Sequence, residues 1–215
     1  MASKKNDKLT TRSYNLELRA DENEQGVIEG VPIVFGKETI INDCFGQYKE
    51  IIDRSALDKT DLKDVRLFVN HDTDKITLAR SKNGKGTMSL EVKEDGVHIR
   101  AKLDIENNTE AKNLYSAIKR GDMDGMSFMF RVNDDEWVDL DKDVPTRTIK
   151  GISIVHEVSV VNFPAYKDTS VSARSSKENE TSVLEEARKA YSKEIEQNDV
   201  NLLKLKYEYL LGGRK

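Results

Sequence analysis

The chain predicts an α+β fold that is mainly β, with antiparallel strands, one or two helices and a separate C-terminal helix. Three observations carry this. Short alternating apolar and polar runs, punctuated by Gly, Pro, Asn and Asp, recur from Ser13 to about Tyr166. Asp95-Gly96 sits between two alternating arms in "GTMSLEVKEDGVHIRAKLD", the signature of a β-hairpin. Helical periodicity interrupts the strands once in the middle, without the strand–helix alternation of a doubly wound sheet.

Taken in order, residues 1–12 are polar and expected to be disordered, and the main domain spans residues 13–174. "YNLELRA" alternates, "GVIEGVPIVFG" is a β-rich run broken by Gly and Pro, and "DVRLFVN" alternates again. A short helix is expected at "RSALDKTD". The hairpin follows, then "TEAKNLYSAIKRGD", where Ala111, Leu114, Tyr115, Ala117 and Ile118 share one helical face and Gly121 stops the helix. "GMSFMFRV" and "GISIVHEVSVVNF" read as strands, separated by a polar, acidic loop at residues 133–146 around Trp137 and Pro145. Residues 175–182 form a polar linker and residues 183–211 an amphipathic helix. Leu184, Ala187, Tyr191 and Ile195, then Leu202, Leu205 and Tyr209 beyond Asn198, make a nearly heptad stripe. It suits a helix packed on its own domain, or one pairing with another chain.

Composition narrows the function. A formal net charge of -4 in 215 residues offers no basic field for nucleic acid. One cysteine, Cys44, excludes an internal disulfide and a cysteine-based zinc cluster. No apolar run is long enough to span a membrane, and the start "MASKKNDKLTTRSYN" lacks a signal-peptide core, so an intracellular-type protein is expected.

Three histidines are present. His71 ends a strand in "RLFVNHDTDKITLAR", where it is either a turn residue with Asp72 shaping the turn, or a reacting group. A metal set of His71, Asp72 and Asp74 falls short: adjacent residues on an extended chain point apart, and no second histidine follows at helical spacing. Ser127, in "DGMSFMF", is either a small polar residue in a sheet or a nucleophile, and no GxSxG elbow surrounds it. "ISIVHEVSVVNF" carries His156 and Glu157 between apolar flanks that make an unpaired carboxylate costly. Strict alternation puts Glu157 on the face of Val155 and Ser159, and His156 on the face of Ile154 and Val158.

At these segments the sequence resembles the prohead, or procapsid maturation, serine proteases of tailed bacteriophages. "VNHD", "GMSFMFRV" and "HEVSVVNFPAYKDTSV" match in order, over a stretch from about Tyr14 to Arg174. The resemblance implies a fold like the herpesvirus assembly proteases, an antiparallel β-barrel flanked by helices. It implies an endopeptidase, without cofactor or metal, that cleaves scaffold or capsid-protein termini, and itself, inside the procapsid in the host cytoplasm. Carried over, His71 becomes the general base, Ser127 the nucleophile and Glu157 the orienting acid. His156 is the competing third member, because herpesvirus relatives use a second histidine there; His98, on a hairpin arm, reads as structural. Oxyanion donors are expected from residues 131–151. The implied partners are the major capsid protein, its scaffold region and the portal, with homodimerisation carried by analogy alone. The C-terminal helix would dock on scaffold, and self-cleavage in "KDTSVSARSSKENETS" would release the core. A non-catalytic assembly factor of the same fold is the competing reading.

Overall fold

The computed structural model describes residues 8–15, 18–43, 45–162 and 182–212. In chain order the strands are β1 (Lys8–Asn15), β2 (Arg19–Ala20), β3 (Val27–Val34), β4 (Thr39–Asp43), β5 (Gly46–Ile52), β6 (Arg66–Val69), β7 (Ala79–Arg80), β8 (Met88–Val92) and β9 (Gly96–Lys102). Helix α1 (Thr109–Arg120), β10 (Gly125–Val138), β11 (Thr146–Val161) and helix α2 (Val183–Gly212) follow. The fold is mainly β within the α+β class, as the alternating runs predict.

The expected antiparallel barrel does not close. A seven-stranded sheet runs β1-β10-β11-β5-β4, with β6 on β11 and β7 on β6; a second sheet runs β2-β3-β9-β8. β11 pairs in parallel with both β5 and β6, so the sheet is mixed rather than antiparallel. At 16 residues, β11 is long enough to serve β5 along its first half and β6 along its last. The large sheet is nevertheless strongly curled. Arg12 on β1 and Glu50 on β5 lie three strand steps apart, about 14 Å across a flat sheet before any offset along the strands is added. Their side chains meet at 2.5 Å.

Between the sheets lies one apolar core. Met126, Phe128 and Phe130 of β10 and Val158 and Val160 of β11 join Ile28, Ile33, Val97 and Ile99 of the smaller sheet. Phe128 and Phe130 stack with ring centroids 4.4 Å apart. Helix α1 adds Ala111, Leu114, Tyr115 and Ile118 to this core, while Ala117 is only half-buried. Asn108 caps its start by accepting from the backbone N–H groups of Glu110 and Ala111, and Gly121 ends it at φ 77°. The sequence-predicted hairpin is β8–β9, and Gly96 is required there. A Cβ on it would sit 2.1 Å from the Ile33 carbonyl oxygen, where β3 crosses close by.

Three boundaries differ from expectation. Residues 8–12, expected to be disordered, belong to β1, which pairs antiparallel with β10 along its whole length; cross-strand pairing outweighs their polar composition. The acidic loop is shorter than residues 133–146, because β10 runs on to Val138 and β11 starts at Thr146. Trp137 justifies that extension: it packs on Tyr48 at 5.0 Å and on the Arg147 guanidinium, while Asp134 and Glu136 alternate outward. At "RSALDKTD" only a single 3₁₀ turn forms, Arg54–Leu57, capped by Asp53.

Helix α2 starts by burying Leu184 against Ile41 and Tyr48, and Arg188 donates to the Lys142 carbonyl at 3.0 Å. Beyond it Ile195, Leu202, Leu205 and Tyr209 are exposed. Among the described residues no helix is long and apolar enough to cross a membrane. The expected linker, residues 175–182, and the expected self-cleavage stretch lie outside the described residues except for Ser182.

Candidate active site

The site forms on the face of the large sheet opposite the core, where three strands set the positions. β10 and β11 pair antiparallel with Ser127 opposite Ser159 and Met129 opposite Glu157. Because alternate side chains share a face, Ser127 stands with Ser159 and Glu157 while Phe128 and Val158 enter the core. On the other side of β11, β6 runs parallel with Phe68 opposite Ser159 and Val69 opposite Val160. The chain leaves β6 at Asn70 and His71, both left-handed at φ 52° and 60°. That turn folds His71 back over the β10–β11 pair.

His71 then bridges the other two residues. Its Nε2 lies 2.6 Å from Ser127 Oγ and its Nδ1 lies 2.5 Å from Glu157 Oε1. The carboxylate accepts from Nδ1–H, so the proton sits on Nδ1 and Nε2 is left as an acceptor for the serine hydroxyl. Glu157 is 2% exposed. Its second oxygen, Oε2, accepts from Ser159 Oγ at 2.6 Å, so the buried carboxylate is satisfied on both sides. The His71 side chain is 21% exposed, leaving its edge open to solvent.

Ser127 is fully buried. Besides His71, its hydroxyl meets strand β1: Ser13 Oγ donates to Ser127 Oγ at 2.9 Å, and the Arg12 carbonyl, 2.8 Å from Ser127 Oγ, competes with His71 Nε2 for the one hydroxyl hydrogen. Strand β1 is in turn anchored by Arg12. Its Nε–H donates to Glu50 Oε1 at 2.5 Å, and its Nη2 donates to Glu50 Oε2 at 2.8 Å and to Tyr48 at 3.2 Å. Arg147 adds a further bond to Glu50 at 3.0 Å and one to Asp135 at 2.7 Å. Burial pushes the Glu50 carboxyl up, but the Arg12 and Arg147 charges outweigh it and hold it below the ordinary carboxylate range.

The three sequence-predicted residues are therefore brought together, although 56 and 86 positions separate His71 from Ser127 and Glu157. His156 is not part of the group. It is the extra residue of a β-bulge: Met129 pairs with Glu157 and Phe130 with Val155, leaving His156 unmatched in the ladder. The bulge resets the alternation, so Val155 enters the core with Val158 and Val160 instead of sharing the Glu157 face. His156 Nε2 accepts from Arg131 Nε at 3.2 Å, while both ring nitrogens of His71 are already taken. Asp72 and Asp74 are exposed, and among the described residues no three metal-ligating side chains gather. His98 bonds Asp95 on its hairpin.

Most of residues 131–151 are paired along the β10–β11 ladder. Sequence reasoning missed Ser159 and Ser13. Ser159 had a usable signal, since it stands two residues beyond Glu157 and so shares its face. Ser13 had none, because its role depends on which strand pairs with β10.

A hydroxyl, an imidazole and a buried carboxylate in this order can pass a proton from Oγ to Nε2 while the carboxylate balances the imidazolium. A sequence model of the caudovirus prohead serine proteases matches residues 14–183. The chain belongs to the caudovirus prohead serine protease family. The match takes in β10, β11 and all three residues of the candidate site, and it ends where α2 begins. Neither a curated protein nor a solved structure matches the chain significantly.

Proposed function

We propose that this prohead serine protease cleaves scaffold or capsid-protein termini, and its own chain, inside the procapsid in the host cytoplasm. Ser127 is the nucleophile, His71 the general base and Glu157 the acid that orients it. The observation that carries the reading is the single imidazole shared between Ser127 Oγ at 2.6 Å and Glu157 Oε1 at 2.5 Å. Ser127 Oγ attacks the scissile carbonyl carbon as its proton moves to His71 Nε2. Glu157 balances the imidazolium, which then protonates the leaving amine as the C–N bond breaks. Water, deprotonated by the same histidine, hydrolyses the acyl-enzyme.

The exposed apolar residues of α2 support a docking role on the helical scaffold region of the capsid protein. Self-cleavage within residues 167–182 would separate α2 from the catalytic domain. Truncation near residue 175 is expected to abolish co-packaging while leaving peptidase activity.

The deciding experiment is co-expression with the cognate capsid protein. Wild type should shorten it and Ser127→Ala should leave it full-length. Unprocessed capsid protein in both, with assembly dependent on the protein, would instead favour a non-catalytic assembly factor.

A further inference from the structure

We infer that Ser159 is a positioning residue that ties both ends of His71, main chain and ring, to the single carboxylate of Glu157. The inference rests on the proteolytic reading above and deepens it. Ser159 is fully buried, directly opposite Ser127 in the β10–β11 ladder. Its Oγ–H donates to Glu157 Oε2 at 2.6 Å, and its Oγ accepts the backbone N–H of His71 at 3.1 Å. Glu157 Oε1 accepts from the His71 ring at 2.5 Å, so the path runs from the His71 amide through Ser159 and Glu157 back to the His71 imidazole.

Two properties make this closed path more than a packing detail. A hydroxyl has one hydrogen, and here it is committed to the carboxylate, which fixes the rotamer of Glu157 and aims its other oxygen at Nδ1. His71 also sits at φ 60°, a left-handed conformation that a histidine holds only when its surroundings impose it. The bond to Ser159 holds the amide of that residue. The Asn70 N–H, donating to the Val160 carbonyl at 2.9 Å, holds the residue before it. Removing the hydroxyl leaves the buried Oε2 without its donor and the His71 amide without its acceptor. The imidazole then loses its fixed aim at Ser127 while the serine, the histidine and the glutamate all remain.

The test uses the full chain and a fluorophosphonate probe that labels the activated serine, compared across wild type, Ser159→Ala and Ser159→Thr. Ser159→Ala should lower the maximal labelling rate about 10- to 100-fold, the weight of a charge-assisted hydrogen bond expressed as a rate. The half-saturating probe concentration should not move. In proton NMR the downfield Nδ1–H resonance of His71 should be present in wild type and Ser159→Thr and lost in Ser159→Ala. Should Ser159→Ala not fold, Ser159→Cys replaces it, keeping the volume with a much weaker donor. Equal labelling and an unchanged resonance in the alanine variant overturn the inference. So does a rate loss that threonine does not restore while the resonance persists. If wild type itself does not label, the proteolytic reading falls, and the resonance comparison still decides the role of Ser159.

Discussion

Two buried glutamates stand in the same curled sheet, and they are solved differently. Glu50 and Glu157 are each 2% exposed. Glu50 faces two guanidiniums, Arg12 and Arg147, whose charge is permanent at any working pH. Glu157 faces one imidazole and one hydroxyl, and its positive partner exists only when His71 carries a proton. The first arrangement locks strands β1, β5 and β11 together. The second leaves a charge that can appear and vanish during a reaction. Permanent compensation suits architecture, and conditional compensation suits chemistry.

Five substitutions sharpen that contrast, beginning with the largest effect. Ser127→Ala and His71→Ala should each abolish peptide cleavage, a loss on the order of 10⁶-fold, with the melting temperature nearly unchanged in Ser127→Ala and lowered in His71→Ala, which strips buried Glu157 of its partner. Cleavage surviving His71→Ala would detach the imidazole from the reaction. Glu157→Gln keeps the size of the side chain but cannot balance the imidazolium, and kcat should fall about 10³- to 10⁴-fold. Retained activity there would mean that the conditional pair is structural after all.

On the architectural side, Glu50→Gln removes the carboxylate that buried Arg12 and Arg147 share, leaving Arg147 its bond to Asp135. It should cost about 3–5 kcal/mol, read as a fall in melting temperature of roughly 10 °C or more. Because the folded carboxyl is held below its ordinary value of 4.5, its contribution is present above that value and lost as pH falls through the depressed one. The stability difference between wild type and Glu50→Gln should therefore shrink as acid is added below pH 4.5. A constant difference across that window would show the charge to be irrelevant.

The smallest effect is expected at His156, whose partner is Arg131 and not His71. His156→Ala should change cleavage by no more than about threefold, the range of a substitution outside the reacting groups. A crippling loss would return the third catalytic place to this histidine.

Much of this was legible in the sequence, and for local reasons. Helix α1 announced itself through an apolar face and a terminal glycine, and β8–β9 through an Asp-Gly turn, because both depend on residues within one or two turns of each other. Glu157 could be paired with the Ser159 face from the two-residue period alone. The same period misled at Val155 and His156, since nothing in "ISIVHEVSV" signals a bulge; the bulge follows from how β11 is held against β10. Residues 8–12 and 133–138 looked like disorder and loop because they are polar. Their order comes from ladder bonds to a distant strand, to which polar composition is no bar.

The sequence by itself determined the strand-like runs that carry Ser127 and Glu157, the turn that carries His71, and the shared face of Glu157 and Ser159. These follow from side-chain chemistry and from the alternation of an extended backbone. Only the tertiary structure decided that β6 runs parallel along β11, so that a left-handed turn lays His71 between the other two. It also decided that the sheet curls without closing, with Arg12 and Glu50 joined across three strand steps. Such pairings link residues tens of positions apart. Their free energy comes from shared burial and charge, which no local window of the chain contains.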